Sequence, residues 1–315
     1  MTRAFIFPGQ GSQTVGMGKA LADAFPQARA VFDEVDAALS QKLSSLIWDG
    51  PAEELTFTAN TQPALMAVSL AAMRVLEAEA GLDLKRHAAY VAGHSLGEYS
   101  ALAAAGSLSI GDTARLLRIR GTAMQKAVPV GQGAMAALLG LEYGAAIEIA
   151  REAAQGEVCD AANDNGGAQV VVSGHKAAVE RAIGLAQARG AKRAVMLPVS
   201  APFHCALMAP AADAMREALA TVAVGTPAVP VVANVTAAPV SNPDAIRDAL
   251  VRQVTGTVRW RESVAAMSAA GVDSFFEVGA GKVLTGLVKR IAAGATATAI
   301  GTPDDVAGFQ ASLRG

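Results

Sequence analysis

The sequence predicts an α/β protein in which a parallel sheet packs between helices, and three observations carry that expectation. Of its 315 residues, 52% are hydrophobic but only 4% are aromatic, so the core has to be built from small and aliphatic side chains packed closely between helices and strands. Short apolar runs alternate with longer segments whose apolar residues recur at helical spacing. Glycine and proline punctuate the joins between them.

In chain order, the apolar run from Ala4 to Phe7 reads as a buried strand stopped by Pro8, and helical spacing then extends from Met17 to Ala38. Gln62-Pro63 opens a second helix, running to about Ala80, because proline suits a first helical turn where its missing N–H costs nothing. Ala88 to Ala92 is a second strand that runs straight into Gly93. Helices follow from Glu98 to Ala105 and from Ile110 to Lys126, the latter with Asp112 near its start and basic residues toward its end, as the helix dipole favours. From Gly133 to Ser200 the rhythm becomes strand 134–139, helix 143–154, strand 158–162, strand 169–173, helix 176–189 and strand 193–198. This βαββαβ order matches a ferredoxin-like unit, compact enough to be inserted between two halves of a larger sheet. The remainder reads as helix 208–222, strand 231–234, helices 243–254 and 260–270, strand 274–277 and a last helix 283–291. The expected organisation is therefore a large domain formed by 1–127 and 199–315, with a ferredoxin-like small subdomain at 128–198.

Composition also excludes several classes of function. The net charge is −2 and no basic stripe is interleaved with aromatics, which argues against nucleic acid as a partner. The amino-terminal apolar run is too short for a signal peptide, and the stretch beginning at Pro63 is interrupted by Arg74, so no membrane association and a cytoplasmic location are expected. Cys159 and Cys205 form no CxxC pair and read as buried small hydrophobes, not as a disulfide framework or a zinc site of ordinary spacing. No metal and no redox cofactor is expected.

The chemistry-bearing motif is Gly93-His94-Ser95-Leu96-Gly97, a GxSxG match with an apolar strand before it and a helix after it. Such a turn exposes the serine hydroxyl in a strained conformation, and side chains at the flanking glycines would collide with neighbouring backbone. The backbone N–H of Leu96, just after Ser95, is suited to hold the oxyanion of a tetrahedral intermediate. A plain glycine-rich turn is the alternative.

A serine nucleophile needs a base, and the four histidines are His87, His94, His175 and His204. His87 sits among charged residues, His175 opens a helix as a polar cap, and His94 follows the strand into a tight turn where adjacent side chains point apart, so that it orients the turn by hydrogen bonding. His204, in an irregular proline-punctuated segment, is the remaining candidate, and the residues alone leave the choice open. Gly9-Gln10-Gly11-Ser12-Gln13 lacks the third glycine of a dinucleotide fingerprint, and Gly279-Ala280-Gly281-Lys282 lacks the Ser or Thr of a P-loop. The first can instead bring the backbone N–H of Gln10 beside the serine as a second oxyanion donor, and the second reads as helix-start packing. Arg120, on its residues alone, reads as a helix-end cation facing water or the helix macrodipole.

Phe7-Pro8-Gly9-Gln10-Gly11-Ser12-Gln13, Thr61-Gln62-Pro63-Ala64-Leu65, Gly93-His94-Ser95-Leu96-Gly97-Glu98, Arg120-Gly121, Pro198-Val199-Ser200 and His204-Cys205-Ala206-Leu207-Met208 together resemble the malonyl-CoA:acyl carrier protein transacylase family. The resemblance spans essentially the whole chain. It implies an α/β-hydrolase-like core with a small subdomain over one side of the cleft, and malonyl-CoA and acyl carrier protein as partners; a monomer is expected. It further implies that malonyl-CoA acylates Ser95, that His204 acts as base and then acid, and that Arg120 pairs with the free malonyl carboxylate. The backbone carbonyl of Gln253 would orient His204 in place of an acidic residue, Gln10 and Leu96 would be the oxyanion donors, and Gln62 a pocket residue. Phe203 departs from many stand-alone relatives, which have a small residue before the histidine, and is similar to the malonyl-selective acyltransferase domains of polyketide synthases.

Two other classes share some of these features. A serine esterase or thioesterase would use the same turn but pass the acyl group to water, and its acid and histidine would normally follow the serine late in the chain. A non-catalytic carrier-binding module would keep the fold without needing Ser95, His204 and Arg120 intact.

Overall fold

The computed structural model describes residues 2–314. Two sheets carry the architecture. The larger has the order β10 (Thr296–Ile300), β9 (Ser274–Val278), β1 (Arg3–Phe7), β2 (Tyr90–Gly93), β7 (Val231–Ala233), β8 (Ala238–Val240). Its neighbours are parallel except β8, which runs antiparallel to β7 at one edge. The smaller has the order β4 (Cys159–Asp164), β5 (Gln169–His175), β3 (Gly133–Leu139), β6 (Arg193–Met196), and every pair in it is antiparallel. Its first and third strands lie inside and its second and fourth outside, which is the split βαβ arrangement.

A strand covered on both faces should be a continuous apolar run, and β1 shows why. Phe5 and Phe7 enter one core, where Phe5 stacks on Phe276 with centroids 5.5 Å apart, while Ala4 and Ile6 enter a second core with Trp260 and Phe275. The small sheet divides its side chains in the same period-two manner. Ala134, Ala136 and Leu138 of β3 pack under the helices Tyr143–Ala154 and Lys176–Ala188, and Met135 between them turns into the main core. The small sheet is tied to the segment between the helices Pro243–Thr255 and Trp260–Ala269 by backbone hydrogen bonds from Asp164 N to Val258 O and from Val258 N to Ala162 O, at 3.0 and 2.9 Å.

The register of β1 against β2 pairs Phe7 with Gly93, so the loop after β1 and the turn after β2 leave the sheet side by side at its carboxyl edge. That edge is where open α/β sheets place ligands.

Several elements differ from the sequence reading. The helix expected from Met17 to Ala38 is two helices, Lys19–Ala24 and Pro26–Leu39, because Phe25 is extended and Pro26 starts the second one. The helix expected at Gln62 begins one turn earlier, at Thr58, with Pro63 inside it. Short helices at Leu43–Asp49 and Ala52–Thr56, strands β8 and β10, and a final helix at Pro303–Arg314 were not expected. β8 has only three residues, and β10 is a half-exposed Thr-Ala edge strand without the apolar run that marks a buried one. Among the described residues no helix is long and apolar enough to cross a membrane.

Helix Ile110–Lys126 lies unusually close to the start of helix Thr58–Ala80, and Gly121 permits it. A Cβ there would sit 2.6 Å from Thr58 O and 2.7 Å from Ala59 Cα, both backbone atoms. Gly121→Ala is therefore expected to force these helices apart at a cost of about 1–3 kcal/mol. A lowered urea midpoint at unchanged slope would show it, whereas an unchanged midpoint would mean that the contact is free to relax.

Candidate active site

Ser95 joins β2 to the helix Leu96–Ala104 with φ 54° and ψ −110°, a conformation that a residue with a side chain adopts only when its surroundings impose it. Backbone contact imposes it here. His94 N donates to Phe7 O at 3.0 Å, and Gly97 N donates to His94 O at 2.9 Å. The Asn234 amide clasps the turn, its Oδ1 accepting from Ser95 N at 2.8 Å and its Nδ2 donating to Gly93 O at 2.7 Å. A Cβ on Gly93 would fall 1.9 Å from Gly97 C, and one on Gly97 2.3 Å from Phe7 O, so neither position admits a side chain.

The Ser95 hydroxyl donates to His204 Nε2 at 2.8 Å. On the far side of the ring, His204 Nδ1–H donates to the backbone carbonyl of Gln253 at 2.9 Å. That bond selects the tautomer whose Nε2 is a free acceptor, which is what a general base requires. His204 itself has φ 57° in the left-handed region, a second strained residue at the same site. Burial, followed by the field of Arg120, pulls its pKa down to about 3, so the imidazole is neutral and its Nε2 lone pair is unprotonated.

Arg120 corrects the water-facing reading, being only 1% exposed. Its Nη1 donates to Gln62 Oε1 at 2.8 Å, and its Nη2 donates to Gln253 Oε1 at 2.9 Å and to Ser95 Oγ at 3.1 Å. Its guanidinium carbon lies 5.6 Å from the centroid of the Tyr99 ring. The helical spacing of Arg115, Arg118 and Arg120 could not reveal this difference. Arg115 faces solvent on Asp112, Arg118 bonds to Asn60 and Gln41, and only Arg120 points beneath the neighbouring helix that Gly121 admits.

These groups open on a cavity of about 510 Å³ lined by Gln10, Gln62, Ser95, Leu96, Arg120, Phe203 and His204. Gln253 stands behind the histidine and is not part of the lining. Gln10 is held from Thr58, whose hydroxyl donates to Gln10 Oε1 at 2.6 Å. Phe203 is nearly buried and adds an apolar wall. Among the described residues no group of three or more His, Cys, Asp or Glu side chains is arranged to hold a metal ion.

The other histidines sort by their partners. His94 bonds through Nε2 to Asn165 Oδ1 at 2.9 Å, and so ties the turn to the β4–β5 connection of the small sheet instead of bracing it locally. His87 accepts from Asp83 N, and His175 accepts from Val158 N without capping the helix it precedes. Sequence reasoning missed Asn234, Asn165 and Glu98. The first two act only across long separations in the chain, while the Ser95 to Glu98 spacing offered a signal in its likeness to a helix capping box.

The acyl transferase domain model matches residues 4–314. The malonyl CoA-acyl carrier protein transacylase of Escherichia coli strain K12 is 51% identical over 304 residues, covering 96% of this chain and 97% of that protein. The Bacillus subtilis strain 168 protein of the same name is 45% identical, with 96% and 94% covered. Among solved structures, the acyl-carrier-protein S-malonyltransferase of Bartonella henselae is 56% identical with a TM-score of 0.98 over 100% of both chains. A malonyl-transacylase in complex with its type II PKS acyl-carrier protein is 44% identical with a TM-score of 0.95, covering 99% of this chain and 100% of that one.

The buried neutral histidine makes stability depend on pH. Its folded pKa is depressed from 6.5 to about 3, so the stabilisation is present above pH 6.5 and is lost as pH falls toward 3, where the unfolded chain takes up a proton that the folded one refuses. Each pH unit in that window costs about 1.4 kcal/mol per proton. His204→Gln is expected to flatten the acid-side fall in stability by about that slope, measured by denaturant unfolding from pH 6 to 4. An unaltered slope would show that His204 is not the group responsible.

Proposed function

This chain belongs to the acyl transferase family, and from that premise we propose that it moves the malonyl group of malonyl-CoA to the phosphopantetheine thiol of acyl carrier protein through a malonyl-Ser95 intermediate, supplying malonyl units for fatty acid synthesis. The carrying observation is that Ser95 Oγ lies within hydrogen-bonding distance of both His204 Nε2 and Arg120 Nη2 in one cavity, so nucleophile, base and carboxylate receptor meet at a single atom.

In the first half-reaction Ser95 Oγ attacks the thioester carbonyl as His204 Nε2 takes its proton, and the Gln253 carbonyl steadies the imidazolium through Nδ1–H. The N–H groups of Leu96 and Gln10 hold the oxyanion. His204 then returns the proton to the departing CoA sulfur. In the second half-reaction it takes the proton of the carrier thiol, the sulfur attacks the acyl carbon of malonyl-Ser95, and as the ester bond breaks His204 returns the proton to Ser95 Oγ. Every proton moves through these side chains and no cofactor enters.

Arg120 offers its parallel N–H donors to the free carboxylate of malonyl, an attraction that an acetyl group cannot use. The same pairing has an electrostatic effect on the base. The bound carboxylate offsets the field that Arg120 imposes on His204, raising its basicity when the correct substrate is present. A polyketide carrier is a second reading of the acceptor, favoured by the malonyl-transacylase solved with its type II PKS carrier.

Rapid-quench intact-protein mass spectrometry tests the proposal. Malonyl-CoA is expected to leave one adduct, absent in Ser95→Ala, and carrier thiol is expected to discharge it faster than water does. Discharge to water at a comparable rate would favour an esterase. Arg120→Ala should lower malonyl acylation roughly 10- to 150-fold and abolish the preference over acetyl-CoA. A preserved preference would remove Arg120 as the carboxylate receptor. Phe203 fills space beside the acyl C2, so Phe203→Ser should raise methylmalonyl relative to malonyl transfer roughly 10-fold or more. An unchanged ratio would assign that ring to packing alone.

A further inference from the structure

Ser95 is the N-cap of the helix Leu96–Ala104, and Glu98 stands at its third position, the spacing of a capping box. In that motif the serine hydroxyl caps the helix and the glutamate returns to the serine N–H. Neither bond forms. The hydroxyl is turned to His204 and Arg120, and the Ser95 N–H is taken by Asn234 Oδ1.

Glu98 instead reaches away from its own helix turn. It is 2% exposed, and its Oε2 accepts two hydrogen bonds, from the backbone N–H of Asn234 at 2.9 Å and from Gln253 Nε2 at 2.8 Å. These are the two residues on which the reacting groups rest. Asn234 holds the nucleophile turn by Ser95 N and Gly93 O. Gln253 holds His204 by its carbonyl, Arg120 by its Oε1 and the Ser95 carbonyl by its Nε2 at 3.0 Å. One carboxylate oxygen thus fixes the end of β7 and the helix Pro243–Thr255 at a common distance from the serine.

We propose that Glu98 is a positioning residue for acyl transfer, whose Oε2 sets the serine against the histidine by anchoring Asn234 and Gln253 together. The inference rests on the reading of Ser95 and His204 as nucleophile and base. What the network requires of Glu98 is an acceptor at one oxygen, and a negative charge is not needed for it. Burial pushes the Glu98 pKa up to about 7, so both forms are populated near neutrality, and a proton on Oε1 leaves Oε2 free to accept. Glutamine can present an amide oxygen at the same place. Methionine has similar length and removes the acceptor.

The test is single-turnover acylation of the full chain by malonyl-CoA, read by rapid-quench mass spectrometry across substrate concentrations, with circular dichroism checking the fold. Glu98→Met is expected to lower the maximal rate roughly 10- to 100-fold, the scale of a misplaced nucleophile, with the half-saturating concentration changed less than about 3-fold. Glu98→Gln should recover most of that loss. Asn234→Ala should share it, and Glu98→Met with Asn234→Ala should cost little more than the worse single change, since they break successive links of one path, from Glu98 Oε2 to the Asn234 backbone N–H and from the Asn234 amide to the Ser95 turn. Wild-type rates in Glu98→Met, a loss expressed only as weaker saturation, a Glu98→Gln variant as slow as Glu98→Met, or multiplicative losses in the double variant would each overturn the assignment. If Glu98→Met does not hold its fold, Glu98→Gln and Asn234→Ala decide: a fast Glu98→Gln with a slow Asn234→Ala supports the assignment, and any other pair of rates refutes it. A wild-type chain that forms no adduct would instead strike at the function itself.

Discussion

The site depends on a contact between two backbones. Gly97 lies so close to Phe7 O, and Gly93 to Gly97, that the turn bearing Ser95 can be wedged against the end of β1 without an intervening side chain. Parallel pairing of β1 with β2 makes the contact possible, because it brings Phe7 and Gly93 to the same level of the sheet. The strained Ser95 backbone, the outward hydroxyl and the nearness of Gln10 all follow from that approach. The strain is borne by a strand whose four residues from Ala4 to Phe7 are completely buried between two cores.

The second governing feature is a guanidinium held by amides. A buried cation is costly unless its donors are satisfied, and a carboxylate partner would satisfy them at the expense of the charge. Arg120 bonds to the side-chain oxygens of Gln62 and Gln253, which are dipolar but neutral, while Glu98 lies in the same region with its own acid pushed toward neutrality. The positive field is therefore only partly cancelled in the cavity. Burial does most to depress the basicity of His204 and this field adds to it, while the same field favours one negative charge within reach of Ser95.

Motifs with local physics were legible in the sequence. The strand–serine–helix turn, the helices Tyr143–Ala154 and Val283–Ile291, and the βαββαβ order all depend on spacing within a short stretch, and the structure places them where that spacing implied. The proposed site residues come together as well, with Gln253 behind the histidine. What was illegible depends on tertiary approach. Which face of the helix Ile110–Lys126 is buried is decided by a glycine meeting the backbone of another helix, and His94 finds its partner in the β4–β5 connection. Asn234 bonds to residues far earlier in the chain, and nothing in its immediate neighbourhood marks it. The division of helix 17–38 at Pro26 was a local signal that a reading by apolar spacing alone passed over.

The chain leaves the small sheet at Met196 and reaches His204 within a few residues, pinned on the way by Leu197 N to Met135 O and by Pro202 packed over Gly133. The histidine thus inherits its place from one sheet and the serine from the other, with His94 and Asn165 bridging them. A chain in which either half is unformed lacks the Ser95 to His204 contact. The hydrogen bond between Ser95 and His204 is in this sense a mark of completed assembly, since it closes only where both sheets have formed and met.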